Sequence, residues 1–104
     1  MQRVAFKMKL HKGFAEEYKK RHDNLWPELK TLLKHNGISE YLIYLDEETH
    51  ALFGILKVED ARVLDALPEN EVMRKWWDYM QDIMETNEDH SPLSIPLQQV
   101  FFLP

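Results

Sequence analysis

The spacing of apolar residues changes period along this chain, and those changes limit the folds open to it. In "RVAFKMKL", Val4, Phe6, Met8 and Leu10 fall on one side, with Arg3, Ala5, Lys7 and Lys9 on the other. That is the alternation of a strand with one wet face. After Lys12 and Gly13 the period lengthens: Phe14, Tyr18, His22, Leu25, Leu29 and Leu32 recur every three or four residues, as on a helix. "SEYLIYLDEETHALFGILKVED" returns to period two and reads as a hairpin turning at "DEET". Tyr41, Ile43 and Leu45 share one face of its first strand, Leu42 and Tyr44 the other, and Leu52 to Val58 carry apolar residues on both faces. A second helical region begins near Asp60 and breaks at Pro68, with its stronger half in "EVMRKWWDYMQDIM". After the loop "ETNEDHSP", a last strand is predicted over "LQQVFFL".

The order strand, helix, strand, strand, helix, strand predicts a ferredoxin-like α+β sandwich. Helices in that plan cover one face of the sheet. The middle strands are apolar on both sides, and a chain of 104 residues has no further layer to spare. A second copy is the expected cover, so the pattern predicts a homodimer packed sheet to sheet. With no Gly/Ser linker, repeat or low-complexity run, residues 1–104 are read as a single domain.

Composition narrows the function. Net charge is −5 with no basic block, which argues against nucleic acid or an anionic membrane as partner. Cysteine is absent, excluding a disulfide framework, a cysteine zinc site and a thiol nucleophile. The alternating start resembles neither a signal peptide nor a spanning segment, and a cytoplasmic protein is the expectation. Motifs such as GxSxG, GxGxxG and the Walker loop do not occur. His11, His35, His50 and His90 have no partner at ligand spacing, so no metal is expected.

Pro27 divides the first helical stretch. A proline ring inside a helix removes a backbone donor and costs roughly 3 kcal/mol, whereas in a first turn it is tolerated. Two pieces are therefore predicted. One ends near His22; the other begins near Leu25, with Asp23 or Asn24 as its N-cap and Gly37 closing it. His22 falls at the joint, one turn from Tyr18. A neutral imidazole both donates and accepts, and its ordinary pKa of about 6.5 suits proton transfer. The competing reading is a half-buried histidine satisfied by a local carbonyl. "KWWDY" places Trp76 and Trp77 about 100° apart on a helix. They are either bulk for a small core or an aromatic wall for a flat, C–H-rich ligand such as a sugar. Tyr41 stands in an apolar row, where its phenol needs a partner from protein, water or substrate.

Four segments, "EEYKKRHDNLWPEL", "YLIYLD", "RKWWDYM" and "SPLSIPLQQVFFLP", occur in that order, and with them the whole chain resembles the L-rhamnose mutarotase family. The resemblance implies a cofactor-free enzyme that interconverts the α and β anomers of L-rhamnose, built as a dimeric α+β barrel. It implies His22 as proton donor, with Tyr18, Tyr41, Trp76 and Trp77 contacting the sugar. It leaves the complementary base open between Tyr18 and a bound water. Dimeric α+β barrels also host small monooxygenases and haem-degrading proteins, and a sugar-binding module without chemistry would use the same pocket.

Overall fold

The computed structural model describes residues 1–104. In chain order the elements are β1 (Gln2–Lys9), α1 (Ala15–Asp23), α2 (Pro27–His35), β2 (Ile38–Leu45), β3 (Ala51–Val58), α3 (Val63–Ala66), a 3-10 turn (Leu67–Glu69), α4 (Glu71–Met80) and β4 (Ile95–Pro96). The strands form one antiparallel sheet in the order β2-β3-β1-β4. This is a small α+β domain with four strands and four helices, as the alternation of periods predicts. No helix is long and apolar enough to cross a membrane.

Facing positions in the ladder explain where the core lies. Val4, Phe6 and Met8 stand opposite Leu56, Gly54 and Leu52 on the helix side. There Met8, Leu10 and Leu52 pack with Leu29 of α2, Met73, Trp76 and Met80 of α4, and Ile83 and Met84 beyond it. A smaller buried group of Ile38, Leu56 and Val58 lies under α3 and the 3-10 turn. The other face has Ala5 beside Ile55, Ile55 beside Leu42, and Phe53 beside Tyr44. Leu42, Tyr44 and Ile55 remain exposed.

A bulge in β2 decides which side chains reach the helix side. Ser39 pairs with Lys57 and Leu42 with Ile55, so Glu40 and Tyr41 together oppose Leu56. Glu40 takes the extra position in the left-handed region (φ 47), and its carboxylate meets Lys57 Nζ at 2.7 Å. Because one residue is absorbed, Ile38 and Tyr41 face the same way although three positions separate them. Unbroken alternation from Ile38 would have turned Tyr41 outward.

The joint at Pro27 forms, with its caps differently placed. Asp23 is the last residue of α1, and Asn24 closes that helix by donating from Nδ2 to the Lys20 carbonyl at 2.9 Å. Neither residue caps α2, whose N-cap is Trp26, with Pro27 in its first turn. The reason is steric: a residue before proline is driven to extended backbone, and Trp26 sits at ψ 132. The break at Pro68 likewise becomes the 3-10 turn, after which the Asn70 side chain accepts from the Val72 and Met73 backbone nitrogens at 2.9 and 3.2 Å.

The last strand lies before the predicted segment: β4 is Ile95–Pro96, and none of residues 97–103 is in a strand. Pairing with β1 is limited to Phe6–Pro96 and Lys7–Ile95, extended by one bond from the Leu97 nitrogen to the Ala5 carbonyl at 2.9 Å. Pro96 has no donor for the ladder. Val100, Phe101, Phe102 and Leu103 are exposed and outside any strand. Apart from the Arg3 guanidinium 5.5 Å from the Phe102 ring centroid, they stay open, so the apolar side chains of "LQQVFFL" have no covered face to satisfy.

Candidate active site

Helix α1 brings Tyr18 and His22 onto its core face one turn apart, their rings stacked with centroids 4.3 Å apart. His22 Nδ1 lies 2.9 Å from the Tyr18 carbonyl oxygen. A carbonyl can only accept, so Nδ1 carries the hydrogen and Nε2 keeps its lone pair. Burial lowers the imidazole pKa below the ordinary histidine value, against smaller upward pulls from that carbonyl bond and the Asp23 charge. His22 therefore rests neutral near pH 7, with one basic nitrogen free. The local-carbonyl bond anticipated as the bland alternative exists, and it is what leaves Nε2 available.

Around the imidazole stands an aromatic wall. Trp76, buried on α4, meets the His22 ring edge-on at 5.5 Å. Trp26 meets Trp76 edge-on at 5.1 Å, and Tyr79 lies 5.7 Å from Trp76 and 5.6 Å from Trp26. Sequence reasoning passed over Trp26 and Tyr79. The usable signal was "LWP": an aromatic held extended before a proline, at a helix joint, has to land on a neighbouring element. Trp77, turned about a third of a revolution from Trp76, is half-buried.

Tyr41 enters from the sheet, its ring edge-on to Phe6 at 6.0 Å. The residue is 39% exposed, its side chain lines the cavity between helices and sheet, and burial pushes its pKa up. The Tyr18 phenol is raised as well, first by burial and then by the neighbouring Tyr41. Both phenols stay protonated. The Tyr18 hydroxyl forms no hydrogen bond within the protein, yet no polar atom of a buried or half-buried side chain is both sealed off and unpartnered. That hydroxyl therefore opens into the space in front of it.

That space is a cavity of about 1050 Å³ between the helices and the sheet, and Tyr18, His22, Tyr41, Trp76 and Trp77 all line it. Twenty-three of its 32 lining residues are hydrophobic. The charged ones are Glu16, Asp23 and Glu47 against Lys19, and Lys19 is taken by Asp23 at 2.8 Å. His11, His35, His50 and His90 do not line the cavity. No group of three or more His, Asp or Glu side chains stands together in a way that would hold a metal ion.

A resting base, two protonated phenols and two indoles around a mostly apolar hollow form a pocket for a neutral, hydroxyl-bearing ring, with proton transfer as its available chemistry. On this α+β frame that is the class of protein the geometry defines. A family model described as L-rhamnose mutarotase matches residues 3–103, and the chain belongs to that family. It is 57% identical over 103 residues to an L-rhamnose mutarotase of Formosa agariphila, covering 99% of both chains. It is 54% identical to one of Sinorhizobium fredii, again with 99% of both covered. A crystal structure of L-rhamnose mutarotase from Formosa agariphila superposes with a TM-score of 0.92 at 56% identity, covering 100% of both chains.

Proposed function

We propose that this chain interconverts the α and β anomers of L-rhamnose by opening and reclosing the pyranose ring, with His22 as the acid–base group. Family membership across residues 3–103 names the sugar, and the observation that carries the chemistry is the free Nε2 of a neutral His22 at the cavity wall. The cavity favours an unphosphorylated sugar: three carboxylates and one already paired lysine offer nothing to a phosphate.

In the first half-reaction Nε2 takes the proton of the anomeric hydroxyl. The freed O–H pair forms the carbonyl, the bond from C1 to the ring oxygen breaks, and its electron pair stays on that oxygen. The imidazolium then delivers a proton to the ring oxygen, which makes His22 the donor as well as the base. Rotation about C1–C2 presents the other carbonyl face, and the same transfers in reverse close the ring. The Tyr18 phenol, with its pKa raised, is a hydrogen-bond donor to the sugar and not the base. Tyr41 contributes a second hydroxyl contact, and Trp76 and Trp77 hold the C–H face of the ring. A positioned acid–base group contributes roughly 10² to 10⁴-fold, ample for a reaction that water already supports.

The working form is a homodimer, two ferredoxin-like sheets closing a dimeric α+β barrel. Support comes from the exposed outer face of Leu42, Tyr44 and Ile55 and from the uncovered tail at Val100 to Leu103. Soluble monomers seldom leave large contiguous apolar patches open. Sedimentation should give a dimer at micromolar concentration and a monomer for Ile55→Glu; a monomeric parent protein would refute the barrel. The activity itself is tested by anomer-resolved saturation-transfer NMR on purified protein across a panel of hexoses and pentoses. L-rhamnose should show the largest acceleration, and an unchanged exchange rate with sugar bound would leave only a binding module.

A further inference from the structure

Arg21 follows Lys20 on α1, immediately before His22, and reaches across to the end of α4. Only 11% of its side chain is exposed, because the Tyr79 ring covers it, with the guanidinium carbon 4.4 Å from the ring centroid. Nε donates to Glu17 Oε2 at 2.8 Å. Nη1 donates to the Tyr79 carbonyl oxygen at 2.7 Å and to Asp82 Oδ1 at 2.9 Å, and Nη2 to Asp82 Oδ2 at 3.3 Å. One planar fork thus joins the last turn of α1 to the C-terminal end of α4.

The same Tyr79 packs on Trp26 and Trp76, and Trp76 stands edge-on to His22. From guanidinium to imidazole the contacts are continuous, and each partner is a rigid ring. We propose that Arg21 is a positioning residue for proton transfer, holding Trp76 against His22 so that Nε2 keeps its place at the cavity wall. The inference rests on reading His22 as the acid–base group. It adds a residue that touches neither cavity nor sugar: Arg21 is absent from the cavity lining.

The arrangement contributes stability, with the arginine side chain 11% exposed and its carboxylate partners 40% and 57% exposed, and it also fixes geometry. The strength of the fork lies in direction. An arginine satisfies a carboxylate on α1, a carbonyl on α4 and a carboxylate just beyond α4 at once, whereas a lysine, a point charge on a flexible stem, cannot hold all three in one plane. A misplacement of about 1 Å far from the reacting atoms is enough to lower a rate by roughly 10²-fold.

Arg21→Lys and Asp82→Asn provide the test, each read in two ways: kcat and KM for L-rhamnose by saturation-transfer NMR, and the shifts of the His22 imidazole C–H protons, which the ring currents of Tyr18 and Trp76 displace. Arg21→Lys should lower kcat by roughly 10-fold or more while KM rises less, because of the proposed sugar contacts only Trp76 belongs to the clamp, and Tyr18, Tyr41 and Trp77 lie outside it. Its imidazole resonances should move, and Asp82→Asn should follow in the same direction by less. A folded Arg21→Lys protein with parental kcat and unmoved imidazole resonances overturns the proposal. Should that variant fail to fold, Asp82→Asn, which keeps the bonds to Glu17 and the Tyr79 carbonyl, decides on the same readouts. If His22→Ala retains full activity, the catalytic reading fails on its own, and the imidazole shifts alone then decide whether the clamp exists.

Discussion

Replacing His22 with Ala separates catalysis from folding, because the structure assigns different magnitudes to the two. On the folding side the imidazole stacks on Tyr18 at 4.3 Å and meets Trp76 edge-on at 5.5 Å, and such contacts contribute about 0.5–1.5 kcal/mol each. The Tyr18 carbonyl loses the Nδ1 bond but keeps its place in the backbone ladder of α1. A domain with about 5–15 kcal/mol of stability stays more than about 95% folded after such a loss. Removing the acid–base group should instead lower catalysed exchange by roughly 10² to 10⁴-fold, which is about 3–5 kcal/mol of barrier. The assay is saturation transfer between the two anomeric protons, with circular dichroism as the control for folding. The pH dependence follows from the lowered pKa of His22. Catalysis needs the neutral imidazole, so kcat/KM should fall as pH drops through a value below about 6.5 and be flat above it. The folded state binds this proton less readily than the unfolded chain. Stability from this group is therefore full above about pH 6.5, declines as pH falls towards the folded-state value, and levels off beneath it. His22→Ala should lose that slope. A folded variant exchanging anomers within about threefold of the parent protein, a small part of the expected loss, would refute the reasoning.

Other expectations concern the walls of the pocket. Tyr18→Phe removes a hydroxyl that bonds to no protein group, so its melting curve should match the parent within about 0.5 kcal/mol while KM for L-rhamnose rises; unchanged kinetics would remove the phenol from the site. Trp77→Ala, at a half-buried position, should raise KM by about two- to tenfold with modest loss of stability, the range set by an aromatic contact of about 0.5–1.5 kcal/mol. Trp76→Ala should weaken sugar binding too but also destabilise by about 3–5 kcal/mol, since Trp76 is buried; an equal effect on both variants' melting temperatures would contradict that division. Gly54→Ala would place a Cβ 2.5 Å from atoms of the Phe6 ring, and that ring packs on Tyr41. It should cost about 1–3 kcal/mol and raise KM together; a neutral substitution would mean that Phe6 moves without disturbing Tyr41.

Much of the frame was legible because it depends on neighbours a few residues apart. The alternation in "RVAFKMKL" led directly to β1, and the three-to-four spacing from Phe14 onward led to α1 and α2, with Pro27 separating them. That His22 ends a helix beside Tyr18 needed only a pitch of 3.6 residues and the steric demand of proline. The last strand was misjudged for the opposite reason. "LQQVFFL" has a strand's composition, but a strand needs a partner edge and a covered face; the pairing with β1 falls at Ile95 and Pro96, just before it, and reaches into it only through the Leu97 nitrogen.

For the site the division is similar. The sequence by itself determined which residues could do the chemistry: an imidazole and a phenol one turn apart, a tryptophan doublet, a tyrosine in an apolar row, and no cysteine. Only the tertiary structure decided that these meet. The bulge at Glu40 turns Tyr41 inward, Trp26 and Tyr79 brace Trp76 from behind, and Arg21 ties α1 to α4. Local backbone preference reaches a turn or two along the chain. Register between distant strands and the docking of one helix on another are set by packing across the whole core, and at that scale His22, Tyr18, Tyr41 and both tryptophans come to line one cavity.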